Sequence, residues 1–279
     1  MIFLSPAKIN LTLFITGKDK KDGYHYIDSI IDPVSLYDLL EINVSDDKEI
    51  VLKDKLNKLK IPTTKNLIYK AAKLLQNKYN VKKGAIIEFY KYIPDGSGLG
   101  GGSSNAATTL KALNKLWNLK LSLKELEKIA IQIGSDVPFF IRCKYGRITK
   151  KGEKISILKR KKINWYIIII PKLCKIKTSL AYKWYDKDFV LTEKTTCNKI
   201  NKKKYLHNDL QESVLKRNKI LNRIRDKLST ITNNENNISL SGSGSAIFLL
   251  CGAKSNAKRL FRKVKRIFKN CYIFMVHSI

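Results

Sequence analysis

The sequence predicts an α+β protein of two lobes. Three observations carry this expectation. Strand-like and helical segments follow one another without the regular βαβ alternation of a parallel sheet. The 279 residues, 44% of them hydrophobic, suffice for one large core or two modest ones. The turn-rich KKGEKI stretch, residues 150–155, supplies a boundary. The expected lobes are therefore 1–155 and 156–279.

Each element has its own local reason. Phe3–Thr16 (FLSPAKINLTLFIT) is dense in β-branched and apolar residues and reads as strand. Gly17–His25 is a turn-rich loop. Ser35–Val44 and Glu49–Lys53 read as further strands. The first clear helix is Asn66–Tyr79, with Leu67, Ala71, Leu74 and Leu75 on one face. Ala85–Ile93 is a strand, and a glycine-rich stretch follows it. Ser104–Trp117 is a helix whose buried stripe is Ala106, Leu110, Leu113 and Trp117. Ser122 and Glu125 form a capping box, so a third helix starts near Leu123, and Gly134 ends it. Beyond it come a strand at Trp165–Pro171 and helices around Thr178–Tyr185 and Asp209–Lys227. Ala246–Cys251 (strand), Ser255–Phe268 (helix) and Cys271–Val276 (strand) complete the chain.

Composition narrows the function classes. The longest apolar run, WYIIIIP at Trp165–Pro171, is far shorter than the ~20 residues a membrane span needs. The N-terminus has neither a basic region nor a small-residue cleavage site, so no export signal is expected. Five cysteines (Cys143, Cys174, Cys197, Cys251, Cys271) contain no C-x-x-C pair and only three histidines occur, so neither a disulfide framework nor a zinc site is expected. Reduced thiols fit a cytoplasmic protein. The formal charge of +32 has two readings. One is a polyanionic partner such as nucleic acid. The other, preferred because lysines are dispersed along the whole chain, is a lysine-rich composition; Lys159–Lys162 and Lys202–Lys204 sit at apparent loops. On that reading neither nucleic acid nor a membrane is a partner.

The stretch IPDGSGLGGGSSNAATTL, residues 93–110, holds the main functional signal. Its Gly96-x-Gly98-x-x-Gly101 matches a dinucleotide fingerprint in letters, but no acid follows at the end of a second strand. Gly102 is followed by Ser103, so the lysine of the common nucleotide-triphosphate loop is missing. A merely flexible loop is the remaining alternative, against which stands the helix that directly abuts the glycines. Glycines let backbone N–H groups approach an anion closely. A helix start near Ser104 turns its positive end to the same place. Ser97, Ser103 and Ser104 add hydroxyls, which could share in metal ligation. This is chemistry for a polyphosphate.

The loop PDGSGLGGGSSNAA resembles the phosphate-binding motif of the GHMP kinase superfamily. PAKINLTL (Pro6–Leu13) is similar to that superfamily's first motif, and SLSGSGSAIF (Ser239–Phe248) to its third. DGYH (Asp22–His25) and GSDVPFF (Gly134–Phe140) resemble the branch whose acceptor carries a cytidine diphosphate. The resemblance runs in order through nearly the whole chain. It implies a two-lobed kinase with its active site in the cleft between lobes. It implies ATP-dependent phosphorylation of the 2-hydroxyl of 4-diphosphocytidyl-2-C-methyl-D-erythritol, in the non-mevalonate route to isoprenoid precursors. Partners are then ATP and a small cytidyl substrate, with the protein a monomer or a homodimer. Another small-molecule GHMP kinase, or a basic RNA-binding protein with a degenerate kinase fold, stand as alternatives.

The same resemblance assigns residues. Pro94, Gly96, Ser97, Gly98, Leu99, Gly100, Gly101, Gly102, Ser103 and Ser104 bind ATP phosphates, and Asn66, Leu67 and Lys91 correspond to the adenine pocket. Asp136, at a helix end between Gly134 and Pro138, is the general base; read from its position alone it is equally a helix cap. Lys8 stands in an otherwise apolar strand start, where a lysine needs a partner such as Asp136 or faces water at an edge. Asn10 shares its face by strand alternation. In the superfamily these three group at the reacting hydroxyl. Tyr24 stacks on the cytosine ring and His25 bonds its edge, with Tyr182 opposite and Thr178 nearby; a loop aromatic packed on the surface is the other reading of Tyr24. Matching Thr178 and Tyr182 requires one extra residue in PKLCKIKT. Gly242, Ser243 and Gly244 brace the phosphate loop or form an ordinary turn. Mg²⁺ arrives with ATP, held by phosphates, waters and Ser104, with no protein carboxylate assigned to it; Glu153 reads as structural.

Overall fold

The computed structural model describes residues 1–59, 61–189 and 206–279. Lys202–Lys204 and Cys197 lie outside the described residues. The described strands are β1 (Ile2–Asn10), β2 (Thr12–Lys18), β3 (His25–Ser45), β4 (Ile50–Asp54), β5 (Gly84–Tyr90), β6 (Gly146–Lys150), β7 (Lys154–Ile157), β8 (Trp165–Pro171), β9 (His207–Asn208), β10 (Ile238–Leu240), β11 (Ile247–Gly252) and β12 (Cys271–His277). The helices are α1 (Leu67–Lys78), α2 (Gly101–Leu116), α3 (Leu123–Ala130), α4 (Val137–Arg142), α5 (Thr178–Asp188), α6 (Leu210–Arg217), α7 (Lys219–Thr232) and α8 (Lys254–Ile267).

The chain divides into two units that interleave in sequence. The first holds residues 1–7, 36–95 and 100–144; the second holds 8–35, 96–99 and 145–279. A single cut near residue 155 is the simpler expectation, but two strands run through both units. β1 and the 21-residue β3 each place one end in each unit.

In the first unit β4 pairs parallel with β5, and β5 pairs antiparallel with Leu39–Ser45 of β3. Alternation along β3 buries Leu40 and Ile42, and along β5 it buries Ile87 and Phe89. α1 packs on α2, and α2 and α3 pack on α4. The buried stripe of α1 is Ile68, Ala71, Ala72, Leu75 and Gln76. Of the expected Leu67, Ala71, Leu74 and Leu75, Ala71 and Leu75 are buried while Leu67 and Leu74 are half-buried, and the buried Gln76 donates to Lys48 O and Lys83 O at 3.0 and 2.9 Å. The Ser122–Glu125 capping box is present at the start of α3.

In the second unit β2 pairs with β3 and with the short β9, while β6 joins β3 and hairpins to β7. A separate antiparallel sheet has the order β10-β11-β8-β12. The run WYIIIIP is β8, inside that sheet, and it is apolar throughout because both of its faces are covered. Ile167 and Ile169 face a core with Leu221, Leu228, Leu260 and Val264 of α7 and α8. Tyr166 faces the other way, against Phe248, with its hydroxyl on Asp32 at 2.8 Å. The single helix expected over Asp209–Lys227 is two, α6 and α7. Asn218 breaks it by leaving helical geometry at φ −127° and accepting from Leu221 N at 3.1 Å as the cap of α7.

Among the described residues no helix is long and apolar enough to cross a membrane. Cys143, Cys174, Cys251 and Cys271 are free thiols.

Candidate active site

The glycine stretch is where the sequence reading needs its clearest correction. α2 starts at Gly101, not near Ser104, with Gly100 as its cap at φ 70°. The amide of Ser104 already bonds Gly100 O at 2.9 Å. The open donors of the first turn are thus those of Gly101, Gly102 and Ser103. Gly102 is exposed and Ser103 half-buried, whereas Gly101 and Ser104 point inward. The Ser104 hydroxyl meets Ser5 Oγ at 2.8 Å in a buried contact. The shift follows from glycine's lack of a side chain. A methyl on Gly101 would stand 2.8 Å from Lys91 Nζ and 2.9 Å from Ile93 Cγ2, so a larger residue there would force those side chains to shift.

Lys91 lies beneath this helix start. It is buried, and its ammonium donates to Asp38 Oδ2 at 2.5 Å and Ile93 O at 2.6 Å. Asp38, also buried, accepts from Tyr92 N, Ile93 N and Asn105 Nδ2 at 2.7, 2.7 and 3.0 Å. Each charge is thus hydrogen-bonded, which burial demands. Asn66 caps α1 through Ile68 N at 2.9 Å, and Leu67 lies next to Gly102. Asp38 and Asn105 are absent from the sequence-based site. An aspartate inside an apolar strand was the available signal.

The first half of the loop, Gly96–Leu99, belongs to the second unit. Here Leu99 O accepts from Lys8 N at 2.9 Å, Ser97 O from Ala246 N at 2.9 Å, and Gly98 O from Ser241 Oγ at 3.1 Å. The PAKIN strand and the SGSGS loop are thereby bonded to the glycine segment from two sides. Pro94 precedes the segment and is half-buried. Lys8 is buried, and its ammonium reaches Asn10 Oδ1 at 2.5 Å, as strand alternation requires. Asn10 is oriented in turn by Ser29 Oγ, to which its Nδ2 donates at 2.8 Å. A methyl on Gly242 would come within 3.3 Å of Asn10 Oδ1 and 3.6 Å of Lys8 Nζ. Asn208 Nδ2 donates to Gly242 O at 2.8 Å and Leu240 O at 2.9 Å, fixing that turn. Ser243 Oγ and Thr178 Oγ1 are 3.2 Å apart, next to Gly244. Ser29 and Asn208 carry no signal in the sequence, and Ser241 shows there only as part of the SGSGS motif, because their importance comes from what folding brings beside them.

Tyr24 and His25 are placed differently from one another. Tyr24 is 63% exposed. Its loop is held by Lys151, whose ammonium bonds Asp19 and Asp22 at 2.7 and 2.6 Å and lies over the Tyr24 and Tyr26 rings. The bond from Lys151 brings the Asp19 carboxyl from 3.8 to about 2, with the Lys21 amide and Tyr26 hydroxyl assisting. Because that value is depressed on folding, the clamp's contribution is present above pH 3.8 and disappears as pH falls through about 2. NMR titration of the Asp19 carboxyl should give a midpoint near 2, and a midpoint near 3.8 would show that no clamp exists in solution. His25, with a side chain only 8% exposed, stacks on Tyr182 at 4.7 Å and meets Asp186 at 2.7 Å.

Asp136 stands at the N-cap position of α4 yet makes no capping hydrogen bond there, and Pro138 follows in the first turn. The cap reading is therefore not realised. Glu153 accepts from its own turn, Lys151 N at 2.8 Å. Among the described residues no group of three or more His, Cys, Asp or Glu is arranged to hold a metal ion. The Ser104 hydroxyl, expected to share in holding Mg²⁺, is instead buried on Ser5.

The chain is similar to known proteins over nearly its whole length. The model of the GHMP kinases N terminal domain matches residues 66–144. The chain is 37% identical over 278 residues to 4-diphosphocytidyl-2-C-methyl-D-erythritol kinase of Pasteurella multocida, covering 99% of this chain and 89% of that protein. It is 40% identical over 270 residues to the kinase of the same name from Wigglesworthia glossinidia brevipalpis, covering 94% and 84%. A crystal structure of 4-(cytidine 5'-diphospho)-2C-methyl-D-erythritol kinase superposes with a TM-score of 0.80 at 25% identity, over the full length of both chains. Mevalonate kinase of Methanococcus jannaschii, at 18% identity and TM-score 0.68 over all of this chain and 98% of its own, shares the fold. The α+β fold is that of the GHMP kinases, and the chain belongs to the family of 4-diphosphocytidyl-2-C-methyl-D-erythritol kinases.

Proposed function

We propose that the protein transfers the γ-phosphoryl group of ATP to the 2-hydroxyl of 4-diphosphocytidyl-2-C-methyl-D-erythritol, in the non-mevalonate route to isoprenoid precursors. The observation that carries this reading is the buried Lys8–Asn10 pair, bonded on one side to the glycine segment and on the other to the Ser241–Gly244 turn. Family membership supplies the identity of the substrates.

The residues divide the work. The N–H groups of Gly101, Gly102 and Ser103, with the positive end of α2, receive the polyphosphate. Asp136 takes the proton of the 2-hydroxyl as its oxygen attacks the γ-phosphorus and the bond to the β-phosphate oxygen breaks, releasing ADP. Lys8 neutralises charge on the phosphoryl group in flight, and Asn10 orients the hydroxyl. Tyr24 and Tyr182 flank the cytosine, His25 contacts its edge, and Thr178 with Ser243 meets the substrate phosphates. Leu67 lines the adenine side. Magnesium bound to ATP would offset charge on its phosphates. A basic surface speeds encounter with two polyanionic substrates.

The direct test is phosphate transfer from ATP to the cytidyl alcohol, run beside mevalonate, homoserine and galactose. Turnover of the cytidyl alcohol alone is expected. Turnover of a non-cytidyl acceptor alone would keep the fold and remove the substrate; tight, salt-sensitive RNA binding without transfer would remove the kinase reading. Lys151→Met should raise KM for the cytidyl alcohol about tenfold, by releasing the Tyr24 loop, and leave KM for ATP unchanged. Equal effects on both substrates would show that the clamp serves general stability only.

A further inference from the structure

The Asp186 carboxylate on α5 has both oxygens engaged by strand residues. Oδ2 accepts from Lys18 Nζ at 2.6 Å, and Oδ1 meets His25 Nε2 at 2.7 Å. The His25 ring is held flat against Tyr182, 25° from parallel. Burial pushes the Asp186 carboxyl upward, but the hydrogen bonds from Lys18 and His25 outweigh it and hold it below the ordinary carboxylate value. An ionised carboxylate only accepts hydrogen bonds, so the proton between the pair sits on Nε2. A neutral ring with its proton on Nε2 presents a lone pair at Nδ1.

We propose that Asp186 is a positioning residue that fixes the His25 tautomer and thereby makes the base site select cytosine over uracil. The inference rests on the reading above that His25 meets the base edge. Cytosine carries a 4-amino donor where uracil carries a carbonyl acceptor. A lone pair at Nδ1 pairs with the first and repels the second. Lys18, His25, Tyr182 and Asp186 thus form one device: the ammonium charges the carboxylate, the carboxylate sets the proton, and Tyr182 sets the ring plane.

The test measures kcat/KM for 4-diphosphocytidyl-2-C-methyl-D-erythritol and for its uridyl counterpart. Asp186→Asn can donate an amide N–H to Nε2, which transfers the ring proton to Nδ1. The cytidyl-to-uridyl ratio is then expected to fall tenfold or more, on the order of one mismatched hydrogen bond, with KM for ATP unchanged. Asp186→Glu keeps the carboxylate and should restore the ratio. An unchanged ratio in Asp186→Asn would reduce Asp186 to a packing role and overturn the inference. His25→Phe separates this from the underlying reading. If it raises KM for the cytidyl alcohol while Asp186→Asn leaves the ratio intact, only the tautomer role fails. If it leaves that KM unchanged, the base-contact reading fails and takes the inference with it. Nitrogen-15 NMR of the wild-type ring needs no variant: an Nε2–H tautomer is expected, and an Nδ1–H tautomer overturns the proposal.

Discussion

Asp136→Ala should lower kcat by about a thousandfold, within the range a general base supplies, which is about 4 kcal/mol of barrier. KM for ATP should stay within about twofold, because the phosphate-binding amides belong to a different element. Asp136 makes no capping bond to α4, so the ~1 kcal/mol that a missing cap would cost is not at stake. Asp136→Asn removes the basic oxygen at nearly constant shape and should be equally slow. Steady-state kinetics with a melting curve alongside decides the matter. Near-wild-type turnover in either variant would remove Asp136 from the chemistry.

Gly98→Ala carries the largest expected effect outside the reacting groups. Gly98 has φ +80°, and a methyl there would sit 2.2 Å from Ser241 O and 3.0 Å from Gly244 O. Both neighbours are backbone, so nothing can rotate away. The loop or the SGSGS turn must move, and Lys8 and Asn10 are bonded to one or the other. Loss of kcat/KM for ATP by more than a hundredfold is expected, with about 3 kcal/mol of stability. Gly96→Ala is the matched control. Gly96 also has positive φ, at +68°, but its nearest neighbours are the Lys175 side-chain carbons at 3.7 Å. It should cost only the ~1–2 kcal/mol of left-handed backbone. Equal damage from the two alanines would mean that close approach to Ser241 is not what the glycine is for.

Much of this architecture was legible locally. The Ser122–Glu125 box, the apolar run of β8 and the stripes of α1 and α2 are read from spacing alone, because each is set by neighbours within one or two turns. Propensity places the start of α2 near Ser104 because glycine ranks as a poor helix former, whereas the close approach of Lys91 and Ile93 favours glycine at the observed start, Gly101. Helical character runs on through Asp209–Lys227, and it is the capping by Asn218 that divides α6 from α7.

The chain by itself determined the family, the fold class and the motif residues, since PAKIN, the glycine stretch and SGSGS state their chemistry in short runs. Tertiary structure alone decided what supports them. Asp38 under Lys91, Ser29 and Ser241 beside Asn10, Asn208 on Gly242, and Asp186 on His25 are each separated from their partners by many residues. The physical reason is burial. A buried polar group must find its hydrogen-bond partner within about 3 Å, and which distant residue supplies it is known only once the strands and helices have packed.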